Sequence, residues 1–138
     1  MILTTKARYA VMAIIEIADS SCESSLIPVS LSIISKSQNI SLSYLEQIFS
    51  LLKKSNIVAS VKGPGGGYIL AKTRKDITIA QIIKAIGEPI KMTNCSNNKQ
   101  NCITTTKNSK CKTHHLWQGL ENNIYNYLNS ISLNDICK

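Results

Sequence analysis

Gly63-Pro64-Gly65-Gly66-Gly67 sets four glycines around one proline in five consecutive positions. No helix tolerates such a run, because proline removes a backbone donor and each glycine surrenders conformational entropy. The chain has to turn here. Ile57-Val58-Ala59-Ser60-Val61 precedes the turn and Tyr68-Ile69-Leu70 follows it. Both are short apolar runs bounded by turn residues, so the segment reads as a β-hairpin.

The sequence before the hairpin is helical in period. Tyr9, Ala10, Ala13, Ile14, Ile17 and Ala18 recur at helical spacing after Thr5, a plausible cap, and predict a first helix over about 6–19. A polar loop, 20–25, separates it from a shorter helix over about 30–38, with Leu31, Ile34 and Ile33 inward. A brief turn at Asn39-Ile40-Ser41 leads into a third helix over about 42–55. Its start is open to two readings, a Ser41 cap or a Ser43/Glu46 capping box. Leu45, Ile48, Phe49 and Leu52 form the inward stripe of that helix, and Ser43, Glu46, Gln47, Ser50 and Lys54 face outward. Helices joined by a tight turn, the last with a polar outer face, make a helix-turn-helix, and the hairpin is its wing.

After the wing comes a basic exit, Lys72-Thr73-Arg74-Lys75, then a short helix from about Ile77 through Ile86 closed by Gly87. Residues 88–112 show almost no period. From about Thr113 to Asn129 the helical pattern returns, with Leu116, Leu120, Ile124, Tyr127, Leu128 and Ile131 on one stripe. An isolated amphipathic helix after a complete small domain has to bury its stripe, and a partner subunit is the economical place. The expected architecture is mainly α with a small β-hairpin: a winged helix-turn-helix domain over 1–87, a cysteine-containing loop over 88–112, and a dimerisation helix with the C-terminus over 113–138.

A chain of 138 residues fits one domain with an appendage. No apolar run nears the roughly 20 residues that span a bilayer, so no membrane partner is expected. Arg8, Glu16 and Asp19 interrupt any signal-peptide apolar region, and the expected location is cytoplasmic. No Ser/His/Asp set, paired carboxylates or phosphate loop is present, so no catalytic residue is assigned and the chain is not expected to be an enzyme. The formal charge of +8 fits an anionic partner such as double-stranded DNA.

For a helix-turn-helix, the third helix enters the major groove. Ser43 and Gln47 can bond base edges and Tyr44 can reach a phosphate, with Ser41 beside them at the helix start. Glu46 either accepts from a cytosine amine or only caps the helix. Lys62, at the wing's edge, fits a narrow minor groove. Lys6, Arg8 and Lys36 are candidates for phosphate contacts, or plain solvated charges.

The aperiodic loop carries Cys95, Cys102 and Cys111, and His114 follows, in the spacing C-x6-C-x8-C-x2-H. Five lysines and no acid lie between Lys91 and Lys112. Five cysteines in all is an odd count, which argues against a disulfide framework, and Cys22 and Cys137 read as incidental. A long loop without structure of its own is explained by a bound metal. The Cys-x2-His step sets His114 about one turn after Cys111, whereas His115 points about 100° away. On residue chemistry alone an iron–sulfur cluster, a structural zinc and a thiol switch stand level.

Leu3-Thr4-Thr5-Lys6-Ala7-Arg8-Tyr9-Ala10-Val11, Ile40-Ser41-Leu42-Ser43-Tyr44-Leu45-Glu46-Gln47-Ile48-Phe49, Val61-Lys62-Gly63-Pro64-Gly65-Gly66-Gly67-Tyr68 and Cys111-Lys112-Thr113-His114-His115-Leu116-Trp117 together resemble the IscR-type iron–sulfur transcription regulators, essentially from end to end. The resemblance implies a homodimeric bacterial repressor or activator that binds a 2Fe–2S cluster through three cysteines and a histidine and tunes cluster-assembly genes to cluster supply. Cys95, Cys102, Cys111 and His114 are the matching ligands. A two-fold dimer of this kind implies an imperfectly palindromic operator. Two departures stand out. Successive cysteines in the family are usually separated by five residues, here by six and eight, and Lys62 stands where the family usually has arginine. A zinc-bound, thiol-redox or nitric-oxide-responsive winged-helix regulator, or a metal-free DNA- or protein-binding module, is the alternative.

Overall fold

Three helices, a hairpin and a fourth helix surround one apolar core, and a long fifth helix leans on its side. The computed structural model describes residues 4–20, 26–90 and 112–137. Helix α1 (Thr5–Ser20) buries Ala10, Ala13, Ile14, Ile17 and Ala18 as its period predicted, adds Ala7, and leaves Tyr9 half-buried. Its cap is one residue earlier than expected: Thr4 Oγ1 accepts from the backbone N–H of Ala7 at 3.2 Å.

Helix α2 (Leu31–Gln38) is capped by Ser30, whose side chain accepts from Ile33 N–H, and closed by Asn39 in the left-handed conformation at φ 55°. Of its expected inward residues Ile34 is buried, but Ile33 is 57% exposed. Eight residues give this helix two turns and one narrow buried stripe, so the neighbouring isoleucine faces out. Glu16 of α1 holds α2 by accepting from Ser37 Oγ at 3.1 Å and Gln38 Nε2 at 2.8 Å.

Helix α3 (Leu42–Lys54) buries Leu45, Ile48, Phe49 and Leu52 completely. Neither expected cap bond forms at its start; instead the Ser41 and Ser43 hydroxyls pair at 3.0 Å. Its other end closes with Asn56 at φ 59°, as Asn56 N–H reaches Lys53 O and Ile57 N–H reaches Leu52 O, both at 3.1 Å.

Strands β1 (Val58–Val61) and β2 (Gly67–Leu70) pair antiparallel, with Val58 opposite Leu70 and Val61 opposite Gly67. The hairpin also docks on the segment entering α2: Val29 and Tyr68 exchange backbone hydrogen bonds at 3.0 and 2.9 Å. Gly67 makes this approach possible, since a Cβ there would collide with the backbone of Val29 and Ser30.

A 3-10 turn (Arg74–Asp76) leads into helix α4 (Ile79–Ala85). Thr78 and Gln81 form a reciprocal capping box, and Gly87 at φ 76° ends the helix as expected. Helix α5 (His114–Ser130) follows the predicted pattern but fully buries none of its residues. A short helix, α6 (Leu133–Ile136), then returns to the body and places Leu133 in the core at 0% exposure. No helix among the described residues is long and apolar enough to cross a membrane.

Candidate functional site

Helix α3 presents two chemically opposite faces because its apolar residues repeat every three or four positions. The buried stripe fixes the helix in the body, which leaves Ser41, Ser43, Glu46, Gln47, Ser50, Lys53 and Lys54 exposed on the other side. Serine hydroxyls, a carboxamide and a carboxylate are groups that read base edges, and the lysines suit phosphates. Tyr44 is half-buried: its ring meets Tyr9 of α1 edge-on, 5.9 Å between centroids. That contact holds the ring in place beside the exposed face.

Lys62 is exposed at the end of β1, where the tight turn begins. Phe49 of α3 and Tyr68 of β2 lie 4.9 Å apart between ring centroids, so the wing carrying Lys62 is packed directly on the helix carrying Gln47. Arg8 and Lys36 are exposed, while Lys6 is half-buried in the first turn of α1. The structure thus presents all the expected nucleic-acid candidates at the surface or its margin.

His114 opens α5 and is half-buried, whereas His115 is exposed; their rings meet edge-on at 5.7 Å. Three thiolates and an imidazole form a soft donor set that suits an iron–sulfur cluster and also zinc. Cys95, Cys102 and Cys111 lie outside the described residues, as does Cys22. Among the described residues no three or more His, Cys, Asp or Glu side chains gather to hold a metal ion.

Two features of the body escaped the sequence. The first is Arg74, which reads as part of a solvated basic exit. Its guanidinium instead donates to the backbone carbonyls of Ala18, at the end of α1, and of Cys137, the latter at 3.4 Å. A cation at a helix C-terminus meets the partial negative charge of unpaired carbonyls. The second is the Thr78/Gln81 box; the T-x-x-Q spacing was its signal. Cys137 sits beside this arginine with its thiol pushed up to about 11, by burial first, then by its hydrogen bond to Asp19 and that group's charge; Arg74 acts in the opposite direction.

A family model described as Rrf2, iron-dependent transcriptional regulator, matches residues 3–138. The HTH-type transcriptional regulator IscR of Pectobacterium carotovorum subsp. carotovorum (strain PC1) is 44% identical over 136 residues, which cover 99% of this chain and 79% of that one. Among solved structures, CymR, the global cysteine regulator of B. subtilis, superposes with a TM-score of 0.79 at 28% identity, covering 99% of this chain and 96% of the other. T. potens IscR superposes with a TM-score of 0.78 at 32% identity, covering 99% and 85%.

Proposed function

The chain belongs to the Rrf2 family of iron-dependent transcriptional regulators, and from that premise we propose that it senses iron–sulfur cluster status and reports it at DNA. It is a transcriptional regulator with a winged-helix fold, not an enzyme. The proposal assigns Cys95, Cys102, Cys111 and His114 as the ligands of a 2Fe–2S cluster. It assigns Ser41, Ser43, Tyr44, Glu46 and Gln47 to the major groove, Lys62 to the minor groove, and Lys6 and Arg8 to phosphates.

The observation that carries the reading is the place of His114. It is the half-buried first residue of α5, three positions after Cys111, and α5 is the helix whose stripe its own body covers only in part, at Leu128 and Ile131. Leu116 and Tyr127 are 60% and 65% exposed on it. A second copy supplies the missing cover, so the ligand loop adjoins the dimer helix. On this reading the chain divides into a reading domain over 1–87, a ligand loop over 88–112 and a dimer segment over 113–138.

A bound cluster would supply a redox-active, detachable anchor for the loop. The chain's own residues do the rest. His114 would offer an imidazole in place of a fourth thiolate. The stripe of α5 holds two reading heads on one two-fold axis, which matches an imperfect palindrome. Cluster-assembly genes are the expected targets.

Anaerobic purification with an absorbance spectrum and iron, sulfide and zinc analysis tests the cofactor. The proposal expects visible absorbance with equal iron and sulfide, lost in Cys111→Ala without unfolding. Stoichiometric zinc without iron would establish the structural-zinc alternative instead.

A further inference from the structure

We propose that Arg74 and the segment following α5 are positioning elements that set the angle of α5 against the DNA-reading body, and so the separation of the two reading heads. The inference rests on the dimeric reading above and adds to it the part of the chain that fixes dimer geometry.

Helix α5 packs on α4, yet a groove of about 420 Å³ opens between them, lined among others by Ala80, Lys84, Glu88, Glu121 and Tyr125. Side packing therefore does not fill the space between the two helices. The C-terminal end of α5 is fastened differently. Thr78 Oγ1 pairs with Asn129 Oδ1 at 3.1 Å. Ile79 N–H donates to Ile131 O at 3.0 Å, and Leu133 N–H donates to Ile77 O at 2.9 Å, an antiparallel bridge centred on Thr78 and Ser132. Leu133 then enters the core, and α6 packs on the 3-10 turn and on α1. Arg74 completes the strap by bonding the carbonyls of Ala18 and Cys137. One arginine thus joins the end of α1, the exit from the wing and the end of α6.

The lever is long. A 17-residue helix spans about 25 Å at 1.5 Å per residue, so a tilt of about 10° at the strapped end moves the far end by about 4 Å. That is close to one base-pair step of about 3.4 Å. Reading heads mounted on such levers lose their preferred half-site spacing when the strap loosens, while each head still reads its own half-site.

The experiment compares wild type with Arg74→Gln and Leu133→Ala, each first checked for folding by circular dichroism and for dimerisation by sedimentation equilibrium. Affinity is measured for palindromic duplexes with the centre spacing changed by one or two base pairs, and for a single half-site duplex. Wild type should favour one spacing at least tenfold. Arg74→Gln should reduce that preference below about threefold and leave half-site affinity within twofold. Time-resolved anisotropy of Trp117, the single tryptophan and a residue of α5, gives a readout without DNA. The variants should add a fast rotation that wild type lacks. If Leu133→Ala fails to fold, Arg74→Gln decides alone. Unchanged spacing preference together with unchanged anisotropy would overturn the inference. A monomeric wild type ends the two-headed reading, and the anisotropy then decides whether the strap holds α5.

Discussion

Phe49 and Tyr68 meet with ring centroids 4.9 Å apart and planes tilted by 56°, which makes the wing and helix α3 one packed unit. Aromatic pairs of this kind contribute about 0.5–1.5 kcal/mol beyond area burial. The same Tyr68 is bonded through its backbone to Val29, so one residue ties the wing to two neighbours.

Gly67→Ala tests that junction. The added Cβ has to enter space held by the Val29 and Ser30 backbone, and φ 156° is a conformation alanine rarely adopts. The expected cost is about 2 kcal/mol of unfolding free energy, within the usual range for strain at a special backbone position. Urea denaturation measures it. A loss below about 0.5 kcal/mol would show that the wing shifts freely away from Val29.

Lys62→Ala tests the wing's contact with DNA. Loss of this minor-groove charge should weaken binding, most on duplexes whose A·T-rich groove is narrow, and lower the slope of log affinity against log salt by about 1. Titrations at four salt concentrations give the slope. An unchanged slope removes Lys62 from the interface.

Cys137 should be a poor nucleophile. Its thiol is pushed up to about 11 from 9.0 by burial and by Asp19. Alkylation by iodoacetamide at pH 8, followed by peptide mapping, should run roughly a hundredfold slower than for a free thiol, because the thiolate reacts. Asp19→Asn should speed it. The sign for stability follows from proton binding: the folded chain keeps this proton to higher pH than the unfolded chain does. Its contribution is complete below about 9 and is lost as pH rises through about 11. A labelling rate equal to that of an unfolded control would contradict the assignment.

Much of this architecture was legible in the residues themselves. Leu45, Ile48, Phe49 and Leu52 repeat at helical spacing, and the structure buries all four. The glycine run permits only a turn, and the strands pair across it. The parts that escaped are those without a period. Four residues, Leu133–Ile136, are too few to show a helical stripe, so the return of the chain to the core left no pattern. Arg74 sits among lysines, and an arginine that binds carbonyls has the same sequence neighbourhood as a solvated one. Ser41 looked like a helix cap because its type and place fit, yet its hydroxyl prefers the nearby Ser43. In the candidate sensor, the donor types stand in the sequence, but Cys95, Cys102 and Cys111 lie outside the described residues. Whether ligands so far apart in sequence meet is a tertiary matter that no local spacing encodes.

The central claim is that chemistry at Cys95, Cys102, Cys111 and His114 is felt at helix α3. Its most direct test is DNA affinity measured anaerobically for one chain with its cluster, after chelation, and after reconstitution, on duplexes selected from a random pool by each form. Couplings between two sites are commonly 1–3 kcal/mol, or about 5–150-fold. The account predicts a reversible change of at least about fivefold on one class of duplex, absent in Cys111→Ala. Equal affinity of cluster-bound and cluster-free protein on every selected duplex would contradict it.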